Sequence, residues 1–160
     1  MSNTPSADTP GVTILPPFVY LAGLVVGYIV QFIFPIRVAP PIFDVAIRVL
    51  GVFLILFSGW LLFTAIGMLQ KVGTPMNPHE PSTALTFDGP YRFTRNPMYL
   101  GMTCLLAGLA LIANALWPLL AVIPVVWWIE TQVIAREETY LEAKFGAPYR
   151  DFKGRVRRWL

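Results

Sequence analysis

The chain has 160 residues, enough for one compact domain and too few for two. It is 56% hydrophobic and only 13% charged, with a mean hydropathy of +0.61. Soluble domains carry about 25% charged residues, so this chain cannot cover its surface with polar groups. That excludes a soluble enzyme, a disordered tail and a disulfide scaffold, and leaves an integral membrane protein. Cys104 is the single cysteine and lies in an apolar run, which rules out a disulfide framework or a cysteine-rich metal site. The net charge of +3 does not point to nucleic acid, because the basic residues crowd the segments flanking apolar runs.

Met1 to Gly11 is polar, contains Pro5 and Pro10, and lacks the lysine or arginine of a signal-peptide start. Residues 1–14 read as a flexible tail and 15–160 as a single membrane domain. A bilayer core about 30 Å thick needs roughly 20 apolar residues of helix. Four stretches qualify, at about 15–36, 45–69, 98–117 and 118–135, which predicts an all-α bundle of about four transmembrane helices. Arg48 follows Asp44 by four residues, so the two can pair on one helix face. Pro118 suits a first helical turn, where a backbone donor is spare, and spans three and four are expected to form a tight hairpin. Asn114 and Gln31 read as interhelical hydrogen-bonding residues.

With four spans, the N-terminus, the loop from Gln70 to Pro97 and residues 136–160 share one side. That side holds ten of the twelve basic residues, and only Arg37 and Arg48 lie on the other. The bias places both termini in the cytoplasm, as in a small prokaryotic inner-membrane protein.

The loop between spans two and three is 28 residues long, with prolines at 75, 78, 81, 90 and 97. Prolines so spaced forbid a continuous helix and stiffen the connection. Asp88-Gly89-Pro90 is a turn signal. A stiff, irregular loop of this length points to function. Beyond span four, Glu137, Leu141 and Phe145 recur every four residues on one helix face, and Gly146 is a C-cap candidate. The cytoplasmic loop and this acidic helix end are expected to meet at the rim of the bundle.

The segment GPYRFTRNPMYLG, followed beyond two apolar runs by REETYLEAKFGAPYRDFKGRVRRWL, resembles the isoprenylcysteine carboxyl methyltransferase family. That family is related to membrane phospholipid and thiol methyltransferases. The resemblance covers roughly His79 to Leu160. It implies methyl transfer from S-adenosylmethionine, held on the cytoplasmic side, to a lipophilic acceptor such as a prenylcysteine carboxylate, a phospholipid amine or a thiol. Carried onto this chain, it implies cofactor contacts from Leu85, Thr86, Tyr91, Asn96, Pro97, Met98, Tyr99 and Glu137. Two positions depart from the family: Asn96 stands where many members have histidine, and Pro148 where many have an acid.

The residue chemistry is compatible with that implication. Tyr91 and Tyr99 offer aromatic faces. Glu137 can accept hydrogen bonds from ribose hydroxyls, and Arg92 or Arg95 can take the cofactor carboxylate. For the reacting end the candidates are Glu138, to take a proton from an amine acceptor, and Arg155, to hold an anionic one. Plainer readings stand beside these. The tyrosines suit an aromatic belt, Glu138 a solvated helix face, and the tail RVRRWL an anchor on anionic phospholipid. His79 reads as a surface loop residue and, as the lone histidine, makes no metal site. The functional alternatives are a non-catalytic membrane binding protein of the same fold and, with less room in the chain, a nicotinamide-dependent sterol-reductase-like enzyme.

Overall fold

The computed structural model describes residues 9–77 and 80–160; His79 falls outside them. The described chain is an all-α membrane bundle. Its helices are α1 (Pro16–Ile33), α2 (Asp44–Lys71), α3 (Pro97–Ile112), α4 (Leu116–Phe145) and α5 (Ala147–Arg155). Short 3-10 turns at Pro41–Phe43 and Gly89–Arg92 lead into α2 and α3.

Three helices, α1, α2 and α4, are long and apolar enough to cross a membrane. Prolines open α1, where their missing donors cost nothing. Phe18, Leu21, Val25, Ile29 and Phe32 of α1 are exposed, as are Val49, Phe53, Leu56 and Phe63 of α2. Lipid is the solvent that makes such faces stable. Helix α4 has 30 residues, about 45 Å at 1.5 Å per residue. It outruns a bilayer core and carries its acidic end past the apolar layer.

Helix α3 is shorter than expected. It has 16 residues, about 24 Å, and the predicted third span of 98–117 ends early at Ile112. Asn114 stops it by adopting a left-handed backbone, φ +48°. Its side chain then pins the turn to the α1–α2 connection. Its Nδ2 donates to Ala39 O at 3.0 Å and Asp44 Oδ1 at 2.9 Å, and its Oδ1 accepts from Ala39 N. The remaining residues, Leu116 and Trp117, join α4, with Pro118 in its first turn as expected. Gln31 also bonds between elements, accepting from Trp117 N at 3.3 Å. The Arg48–Asp44 pair forms at 2.8 Å.

A close crossing joins α2 and α3 at two glycines. A Cβ on Gly51 would stand 2.8 Å from Gly108 O, and one on Gly108 would stand 2.8 Å from Gly51 O. Small residues let membrane helices approach until backbones touch, which substitutes for the hydrophobic drive that lipid removes. One apolar cluster unites Tyr20, Tyr99, Leu106, Ile129 and Val133 from α1, α3 and α4. Val12 belongs to it, and Gly11 O accepts from Arg136 Nη1 at 2.8 Å. The packed body therefore includes residues from the stretch expected to be a flexible tail. A second cluster joins Ala65, Tyr91, Tyr149 and Phe152.

Gly108→Val forces α2 and α3 apart and should destabilise the protein by about 1–3 kcal/mol. Gly59→Ala meets no atom within 4 Å and should be neutral or slightly stabilising. Thermal unfolding in detergent compares the two; equal midpoints would contradict the close crossing.

Candidate functional site

The loop after α2 is held by its own side chains. Thr74 Oγ1 donates to Ala84 O at 2.7 Å and accepts from Ala84 N at 2.9 Å, and Thr83 Oγ1 donates to Gly73 O. These bonds fold the proline-rich segment back on itself. Tyr140 of α4 accepts from Ser82 N at 3.1 Å, tying the loop to the acidic helix. The Asp88-Gly89-Pro90 turn forms with Gly89 at φ +58°, a conformation that favours glycine.

Between this loop, the start of α3, the end of α4 and α5 lies a cleft with about 880 Å³ of empty space, part of it open solvent. Leu85 and Thr86 line it from the loop. Tyr91 lines it from the 3-10 turn, and Arg95, Asn96, Pro97, Met98 and Tyr99 line it from the entry to α3. Glu137 and Glu138 face it from α4. The candidates from both sequence segments thus converge on one cleft, though 38 residues separate Tyr99 from Glu137. The Tyr99 hydroxyl donates to Glu137 Oε1 at 2.6 Å, leaving Oε2 to accept from a ligand. Tyr99 is fixed from behind, because Tyr20 OH and Thr103 Oγ1 both donate to its carbonyl. Leu141 and Phe145 share the face of Glu137 and pack on the second apolar cluster, and Gly146 caps the helix at φ +62°.

Burial sets the chemistry of the aromatic wall. It raises the Tyr91 hydroxyl well above its usual range, with the Glu137 charge adding to the effect. Tyr149 is pushed up to about 12, chiefly by burial and then by Glu138, with Arg95 opposing. Both phenols stay neutral at physiological pH.

Four charged residues form a cluster at the back of the cleft. Glu138 is 6% exposed, so it is no solvated-face residue. Its Oε1 pairs with Arg95 Nη2 at 3.2 Å and accepts from Arg158 Nε at 3.0 Å, and its Oε2 accepts from Arg158 Nη2 at 2.8 Å. Arg158 Nη1 also donates to Glu130 Oε1 at 2.6 Å. These carboxylates hold the Arg158 guanidinium strongly in its charged form. Arg95 contrasts with it: Nε and Nη1 are buried without a hydrogen-bond partner.

A π-helical turn, Glu130–Ile134, interrupts α4. Eight residues of regular α-helix overshoot two full turns by about 80°. The wider π turn takes up that excess, and Glu130 and Glu138 reach the same guanidinium.

Other candidates lie elsewhere. Arg155 is exposed, bonds only its own helix through Asp151 O at 3.3 Å, and does not line the cleft. Arg92 is exposed and also outside the lining. Asn96 spends its amide on Arg158 O at 2.9 Å. The tail read as a lipid anchor is instead docked on the protein. Arg157 O accepts from Arg95 N, Arg158 O accepts from Thr94 Oγ1, and Trp159 packs on the first apolar cluster. Arg158 is the residue that the sequence reading missed. Among three arginines in four positions, no periodicity separates the ion-paired one from its neighbours.

Comparison with known proteins bears on the same region. The phospholipid methyltransferase family model matches residues 46–148, from α2 through the start of α5. An uncharacterized protein of Haemophilus influenzae is 49% identical over 65 residues, which is 39% of this chain and the whole of that protein.

Proposed function

The chain belongs to the phospholipid methyltransferase family, and on that premise we propose methyl transfer from S-adenosylmethionine, held in the loop–α4 cleft, to an amphiphilic acceptor at the membrane rim. The observation that carries this reading is Arg95. Buried donors without partners are costly, and Nε and Nη1 of Arg95 are such donors in a residue that lines the cleft. An anionic group entering the cleft would satisfy them, and the amino-acid end of S-adenosylmethionine carries a carboxylate. The other lining residues suit the remainder of that molecule: Glu137 has an oxygen free for ribose hydroxyls, and Tyr91 and Tyr99 offer aromatic surface.

When bound, S-adenosylmethionine supplies a methyl group on a sulfonium centre that loses its charge on transfer. The task left to the protein is alignment in a site shielded from water. Arg95 would hold the carboxylate end and Glu137 the ribose, and Met98, Leu85 and Phe152 would exclude water between them. Glu138 is better assigned to anchoring Arg95 than to taking a proton, since both its oxygens already face guanidinium groups. The acceptor class follows from the surroundings. Met76 is exposed and lines the cleft, and Phe87 and Phe93 are exposed on the same connection. A largely apolar lining with exposed apolar residues on the neighbouring connection favours a substrate with a nucleophilic head and a lipid tail. Carboxylates and thiolates arrive ready to react, whereas an amine must first lose a proton.

Glu137→Ala should weaken S-adenosylhomocysteine binding by roughly ten- to hundredfold, the scale of a lost charge-assisted hydrogen bond. Tyr99→Phe, which frees Glu137 Oε1 but keeps the ring, should cost less. Calorimetry on detergent-purified protein measures both, and parental affinity in Glu137→Ala would remove that residue from the site.

The ten-to-two distribution of basic residues supports a cytoplasmic cleft with both termini on that side. In a Cys104→Ser background, cysteines placed at Ser2 and Leu160 should resist an impermeant reagent applied to intact cells and react after permeabilisation. Labelling in intact cells would reverse the orientation.

A further inference from the structure

We infer that Arg158 is a positioning residue for Arg95, acting through Glu138 to keep the Arg95 guanidinium available to the carboxylate end of the ligand. The inference rests on the assignment of S-adenosylmethionine to the cleft. Arg158 does not line the cleft. It lies in a neighbouring hollow, and Glu138 forms the wall between the two. Its influence on a ligand therefore passes through that carboxylate.

The charges in the cluster explain why such a residue is needed. Glu130 and Glu138 bring two negative charges, and Arg95 and Arg158 bring two positive ones. Arg158 makes a two-point contact with Glu138 through Nε and Nη2, and a third bond to Glu130. Arg95 makes one contact to Glu138, at 3.2 Å from Nη2, and its guanidinium also lies beside the Tyr149 hydroxyl. In this arrangement Arg158 neutralises most of the carboxylate charge, and Arg95 keeps donors for something else. Without Arg158, two carboxylates would face one guanidinium. Arg95 would be drawn fully onto Glu138, and an excess negative charge would stand at the back of the cleft. Both changes oppose an anionic ligand group, and neither touches the part of the cleft that would take a nucleoside.

The tail also has docking contacts that do not depend on this side chain. Its docking uses main-chain oxygens of Arg157 and Arg158 and the ring of Trp159, none of which the substitution removes. Arg158→Gln is therefore expected to fold with an altered charge balance.

The test compares two ligands by calorimetry on detergent-purified protein. One is S-adenosylhomocysteine, which has the amino-acid end; the other is 5′-methylthioadenosine, a nucleoside thioether that lacks it. Arg158→Gln should lose about tenfold in affinity for the first, as expected for removing one unit charge near a partly buried anion site. Its affinity for the second should match the parent. Arg158→Lys should fall between, since a point charge restores neutrality but not the two-point contact. If Arg158→Gln does not fold, Arg158→Lys carries the same comparison. Equal losses for both ligands would mean a merely structural role and would overturn the inference, as would an unchanged affinity for S-adenosylhomocysteine. A parental protein that binds neither ligand would overturn the cofactor assignment itself, and this inference with it.

Discussion

A buried carboxylate that loses a partner costs several kcal/mol, and the arrangement around Glu138 follows from that constraint. Glu138 belongs to α4, Arg95 to the entry of α3 and Arg158 to the tail after α5. None of these segments can move away without exposing or stranding a charge. The same carboxylate therefore joins three distant parts of the chain and fixes the back of the cleft. The π turn in α4 belongs to this device, because it brings Glu130 onto the face where Arg158 can reach it. Hydrogen bonds from Tyr20 and Thr103 fix the front of the site by immobilising Tyr99.

The membrane-spanning part and the cap above it obey different rules. In the span, exposed Phe, Val, Leu and Ile side chains are stable because lipid surrounds them, and close glycine contacts between α2 and α3 supply the packing. In the cap, polar groups are satisfied one by one: Thr74 by the backbone of Ala84, Thr94 and Asn96 by the carbonyl of Arg158. Among the described residues of the cap, Arg95 is the exception, with two donors unspent. Helix α4 crosses from one regime to the other, since its length takes Glu137 and Glu138 beyond the apolar layer. On the proposed function, a polar ligand and a lipid-like acceptor thereby find adjacent sites.

Much of this was legible in the residues. Long apolar runs give membrane helices because no other backbone arrangement satisfies itself in hydrocarbon. The Asp88-Gly89-Pro90 turn and the Gly146 cap are local signals, and both formed. The convergence of Tyr99 with Glu137 came from two segments of recognisable pattern, although only the fold shows their hydrogen bond. What escaped depended on tertiary context. Asn114 cut α3 short because Ala39 and Asp44 were there to receive its amide, and those partners lie some 70 residues away. Arg158 looked like one of several membrane-facing cations until the tail was seen folded onto Thr94, Arg95 and Asn96. The π turn has no signature in ETQVI that distinguishes it from ordinary helix.

On the proposed function, the cleft between the proline-rich loop and α4 holds S-adenosylmethionine with its carboxylate on Arg95. An experimental structure of the protein with S-adenosylhomocysteine tests it most directly. The ligand carboxylate is expected within hydrogen-bond distance of Nε and Nη1 of Arg95, and the ribose hydroxyls against Glu137. A ligand bound elsewhere, or bound in the cleft with its carboxylate away from Arg95, would contradict it.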